Sequence, residues 1–187
     1  MNRRDRPKRV PQPPKPLGPV RLEELALAYV ARFATSAAKL EDYLRRKLRE
    51  RGWEGEGDPP IAAIAAKFVD NGFIDDAAYA RAKSGSLLRR GYGQRRIGQA
   101  LHAAGIAEDV REDVRAGESA QRHAALAMVR KRRFGPFGPG AADRAIREKQ
   151  IAALLRAGHR LDSARELVNS PTEQAALDWA GQEDEDE

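Results

Sequence analysis

Three glycines, Gly52, Gly105 and Gly158, stand 53 residues apart, and this regularity constrains the fold more than any other feature of the 187-residue chain. Four positions before each lies a leucine, Leu48, Leu101 and Leu154. Eight before lie Leu44, Ile97 and Gln150, so the third copy breaks the pattern, with Ile151 beside the break. Directly after come Trp53, Ile106 and His159. An apolar residue every fourth position, closed by glycine, is the signature of a helix end, because a residue without Cβ enters the left-handed cap conformation at little cost. Recurrence at a fixed period implies tandem copies of one small unit.

The unit is clearest in its first copy. Leu22, Leu25, Tyr29 and Phe33 share one helical face. Ser36 is placed to cap a second helix, on which Leu40, Tyr43, Leu44 and Leu48 share a face. Asp58-Pro59 reads as the start of a third, a capping carboxylate followed by proline at the first helical position. Ile61, Ile64, Ala65, Phe68 and Val69 form its apolar face, closed by Asn71-Gly72. First helices of the later copies begin near Asp76 and Glu118, and their third helices carry Val110 and Val114, then Ala164, Leu167 and Val168. Runs rich in Val, Ile, Thr and aromatics are missing, which argues against a sheet. The expectation is an all-α chain: an elongated tandem array of three three-helix modules at 21–74, 75–117 and 118–170. Burying one leucine contributes about 1.5–3 kcal/mol, whereas ordering one residue costs about 1–2 kcal/mol of backbone entropy. So small a module must lean on its neighbours.

Charge is unevenly spread around a net value of +6. Through Pro19 there are six bases and one acid, and prolines punctuate residues 7–19. From Asp178 to Glu187 there are six acids and no base. Both ends read as disordered, a basic proline-rich tail over 1–20 and an acidic tail over 171–187. Residues 20–177 keep 28 bases against 21 acids, a surface suited to polyanions or to an acidic protein. Absence of cysteine excludes disulfides and thiolate chemistry and suits a reducing compartment. The N-terminal segment lacks the apolar core of a signal peptide, and no apolar run reaches membrane-spanning length. A cytoplasmic monomer is expected.

Motifs for catalysis are weak. Gly91-Tyr92-Gly93 lacks the third glycine and the preceding strand of a nucleotide fingerprint, and no phosphate-binding loop of the GxxxxGKS type occurs. His102, His123 and His159 are scattered, without carboxylates at ligand spacing. Asp75-Asp76 sits at a helix start, where acids complement the dipole. No serine sits in a GxSxG elbow. No enzyme activity, metal or cofactor is expected.

Basic clusters are the better candidates. Arg45, Arg46 and Arg49 crowd the second helix of the first module; Arg132 and Arg133 close a later helix; Arg89, Arg90, Arg95 and Arg96 bracket Tyr92 on the glycine turn. Guanidinium groups around an aromatic ring can contact phosphates and stack on a base or a peptide plane.

The segments LEELALAYVARFATSAAKLEDYLRRKLRERGW, VDNGFIDDAAYARAKSGSLLRRGYGQRRIGQALHAAGI and REKQIAALLRAGHRLDSARELV carry a resemblance to a known family. The most specific parts are FIDDAAYA and RRGYGQRRIGQALHAAGI, an acidic pair, a helix, a basic glycine turn and a second helix. From Leu22 to about Val168 the chain resembles the RecX regulatory proteins of bacteria, modulators of the RecA recombinase. It departs from them at the enlarged loop GWEGEGDPP, at the stretch FGPFGPGAAD and at Arg160, where a small capping residue is usual. The resemblance implies a regulator that docks onto RecA–single-stranded DNA filaments and damps recombination, ATP turnover and the damage response, touching DNA through the filament. An autonomous helical nucleic-acid-binding protein is the alternative, since three-helix modules with arginine-rich second helices also describe many DNA readers.

Overall fold

The computed structural model describes residues 15–140 and 143–182. The basic stretch through residue 14 and the EDEDE end lie outside them. Among the described residues the chain is helical throughout: α1 (Pro19–Val30), α2 (Ala37–Arg51), α3 (Ile61–Asp70), α4 (Asp76–Arg89), α5 (Gln94–His102), α6 (Glu108–Asp113), α7 (Glu118–Arg132), α8 (Arg144–Arg156), α9 (Leu161–Asn169) and α10 (Glu173–Ala180). The elements surround three cores that follow chain order instead of merging. Leu22, Leu40, Leu44, Ile64 and Phe68 form the first. Ala80, Leu87, Ile97, Leu101 and Ile106 form the second. Val129, Ile151, Leu154, Leu167 and Val168 form the third. Gly52, Gly105 and Gly158 all take positive φ, at 83°, 70° and 96°, and each ends the second helix of its copy. Ile151 fills the position that Gln150 leaves; the Gln150 side chain instead accepts a hydrogen bond from the Gly135 N–H at 2.9 Å.

Several local expectations need correction. Ser36 does cap α2, accepting from Lys39 N at 3.4 Å. Asp58-Pro59 does not start α3: the helix begins at Ile61 with Pro60 as its uncapped N-cap. Pro60 is the reason, since a residue preceding proline is pushed out of the helical region, and Pro59 is that residue. Phe33 lies past the end of α1 and is 53% exposed. The segment 171–187 is not tail throughout. Thr172 caps α10, whose Ala176 and Ala180 are buried in the third core with Trp179 packed alongside. Nor is 1–20 wholly outside the fold: Leu17 is fully buried and α1 begins at Pro19.

Neighbouring modules meet in the same way twice. In each joint the start of a second helix rests on the glycine turn that ends the next module's second helix. At the first joint Ser36 Oγ donates to the Ala104 carbonyl at 2.5 Å, and Asp76 accepts from Ala37 N at 2.9 Å. A Cβ on Gly105 would stand 2.2 Å from that of Ala38. At the second joint Gly93 N donates to the Ala157 carbonyl at 3.0 Å and Arg95 N to that of Gly158 at 3.2 Å. Ala104 and Ala157 are equivalent in the repeat, so one carbonyl position receives both neighbours. Backbones approach so closely at the second joint that a Cβ on Gly93 would lie 2.3 Å from Gly158 C.

Candidate functional site

The turn between α4 and α5 is therefore an inter-module joint. Gly91 and Gly93 are buried in it. Gly91 takes φ of 81° and faces α7, where a Cβ would lie 3.1 Å from Met128. Tyr92 projects between them and packs against both the second and third cores. His159, 7% exposed, donates from Nε2 to the Gly91 carbonyl at 3.0 Å. Burial disfavours its imidazolium and pulls its pKa below the ordinary 6.5, with the Gly91 bond opposing.

Around this joint the arginines sort into distinct roles. Arg95, exposed, reaches across to the third module, its Nη2 donating to the Leu155 carbonyl at 2.5 Å. Arg96 faces the other way, lining with Tyr92, Arg132, Ala153, Arg156 and Ala157 a cavity of about 270 Å³. Arg90 lies over the Tyr92 ring, 5.5 Å from its centroid. Among the described residues no carboxylate lines that cavity and none pairs with Arg90, Arg96, Arg132 or Arg156. Four cationic heads beside one aromatic ring, without a neutralising acid, make a surface of strong positive potential. Such guanidinium groups hold phosphate or carboxylate oxygens through paired N–H donors.

Residues singled out from sequence divide accordingly. The structure brings Arg90, Tyr92, Arg96 and Arg132 together. Arg89 is exposed at the end of α4, and Arg133 caps α7 in the left-handed region at φ 54°. The α2 cluster stands in the first module, where its charge is largely answered. Arg45 pairs with Glu41 at 2.5 Å and Asp42 at 3.0 Å. Arg46 reaches Glu50 at 3.9 Å and lies over Tyr43. Arg49 has no acidic partner among the described residues. Arg156 is absent from the sequence-derived set, although the repeat register could have found it two positions before Gly158, on the helix end that receives the neighbouring module.

Relatedness places the chain in a family. Regulatory protein RecX of Myxococcus xanthus is 35% identical over 172 residues, covering 87% of this chain and 91% of that protein. The chain belongs to the RecX family. The family's second three-helix domain matches residues 75–114, the module that carries Tyr92 and Arg96. Regulatory protein RecX of Thermus thermophilus is 36% identical over 108 residues, 58% of this chain and 71% of the relative. The crystal structure of RecX from Lactobacillus salivarius superposes with a TM-score of 0.61 at 21% identity, covering 78% of this chain and 90% of that one, so the helical array is a shared fold. No helix among the described residues is long and apolar enough to cross a membrane.

Proposed function

We propose that this RecX-family chain is a non-enzymatic cytoplasmic regulator that binds RecA–single-stranded DNA filaments and damps recombination, RecA ATP hydrolysis and the DNA-damage response. Relatedness over 91% of a protein named as a regulator is the observation that carries this reading. The arginine cavity at the second joint, which no carboxylate among the described residues lines, supports it, because a filament on DNA is a repeating anionic partner and a row of modules can lie along it. In this reading Arg90, Tyr92, Arg96, Arg132 and Arg156 make the principal contact, with Arg89 and Arg133 at its margin. Arg45 and Arg46 contribute less, since Glu41, Asp42 and Glu50 already answer much of their charge, and Arg49 is a single cation beside them. The test is RecA's DNA-dependent ATP hydrolysis with substoichiometric amounts of the protein: turnover should fall, and unchanged turnover would overturn the proposal. The same cavity favours one other reading, autonomous binding of nucleic acid. That reading requires tight binding to bare oligonucleotide with a steep salt dependence, whereas a filament regulator prefers the RecA-coated strand.

A further inference from the structure

The joints leave the two ends of the array unequal, and the first module carries a seat on which no module rests among the described residues. By the repeat register, Arg51 and Gly52 correspond to Ala104–Gly105 and Ala157–Gly158, the turns on which a preceding second helix rests. Lys15–Leu17 occupies this seat instead. Leu17 N donates to the Gly52 carbonyl at 3.0 Å, as Arg95 N does to Gly158, and Glu54 N donates back to the Leu17 carbonyl at 3.1 Å. Arg51 Nε donates to the Lys15 carbonyl at 3.0 Å, and the Leu17 side chain is fully buried in the first core. Among the described residues the seat is only half filled: none lies within 4 Å of a Cβ built on Gly52, whereas those on Gly105 and Gly158 meet Ala38 and Arg96.

At the opposite end lies the matching plug. The start of α8 corresponds to the starts of α2 and α5, and among the described residues no module rests against it. Its first turn exposes Ile146 to 46%, with Arg144 and Arg147 exposed beside it. The loop after the seat exposes Glu54, Glu56 and Asp58. Apolar tip, basic flank and acidic rim are complementary, and they belong to the two ends of one chain.

We propose that Lys15–Leu17 is an end cap: it fills on the first module the seat that a neighbouring module fills on the second and third, and so withholds it from the start of α8 in a second copy of this chain. An array of identical joints has no intrinsic stop, and terminal caps are how such arrays remain single. The experiment measures mass by sedimentation equilibrium on the full chain, from micromolar to submillimolar concentration. The parent should hold the single-chain mass of 20.7 kDa. Leu17→Asp, which cannot bury its carboxylate, should rise with concentration to twice that mass or beyond, and adding Ile146→Asp should return it to one chain. Leu17→Ala, milder on the core, replaces it if circular dichroism shows helicity lost. Folded Leu17 variants that stay single overturn the cap; so does a parent that self-associates, or association indifferent to Ile146→Asp.

Discussion

Gly93→Ala should break the second joint without straining the backbone. Gly93 sits at φ −82° and ψ 166°, a conformation any residue adopts, so the substitution acts through space alone. Its new Cβ would lie 2.3 Å from Gly158 C and O and 2.4 Å from His159 N, all backbone atoms that cannot rotate away. Ordinary carbon contacts stand at about 3.5–4.0 Å, so the two turns must separate by roughly 1 Å or more. That separation carries the Gly93 N–Ala157 O bond at 3.0 Å and the Arg95 N–Gly158 O bond at 3.2 Å beyond useful length. Overpacking costs about 1–3 kcal/mol and each lost hydrogen bond about 0.5–1.5 kcal/mol. The expected loss is therefore about 2–6 kcal/mol. Urea denaturation followed by far-ultraviolet circular dichroism reads it directly. Stability equal to the parent would refute a joint made through this turn.

Gly98→Ala is the contrasting substitution: Gly98 is within α5 and no described residue lies within 4 Å of its Cβ position, so a gain of about 0.5–1 kcal/mol is expected in the same assay. Leu101→Ala should cost about 2–5 kcal/mol, because Leu101 is 1% exposed; Leu48→Ala should cost clearly less, since Leu48 is only half-buried, and equal losses in thermal melts would contradict that ranking. His159 has a depressed pKa in the folded chain, so the folded state binds its proton less readily than the unfolded one. The stability it contributes is complete above about pH 6.5 and is lost as pH falls toward and through the folded value. His159→Gln should flatten melting temperature between about pH 7.5 and 5, and an unchanged slope would remove His159 from that dependence.

Helices and cores were legible because they rest on periodicity. The 53-residue register of Gly52, Gly105 and Gly158, with leucines four positions earlier, places the second helix of every module and its left-handed end. Joints were not legible, because they form between backbone atoms and leave no apolar pattern. Gly93 reads as a turn residue, yet its lack of a side chain is required by the close approach to Gly158. For the same reason Arg95 and Arg96 looked alike in sequence but point to opposite sides, Arg95 to the Leu155 carbonyl and Arg96 to the cavity. Arg156 escaped notice because it meets Arg96 only once the third module is seated. At the ends, charge and proline concealed short packed pieces. Leu17 is a lone apolar residue among prolines and bases, and Ala176 and Ala180 supply a face too small to register against the acids around them.

Equilibrium binding to RecA-coated single strands decides whether the cavity beside Tyr92 is the surface proposed to meet the filament. Reversing Arg96 and Arg132 to Glu changes the local charge by about four units, replacing attraction to an anionic partner with repulsion. Both side chains are exposed, so far-ultraviolet circular dichroism should match the parent. Arg45→Glu with Arg46→Glu makes the same change in total charge on α2 and serves as the positional control. Affinity should fall at least tenfold, about 1.4 kcal/mol, for the Arg96/Arg132 pair and distinctly less for the α2 pair. Unchanged affinity in a fully helical Arg96/Arg132 variant, or an equal loss from both pairs, would contradict that assignment.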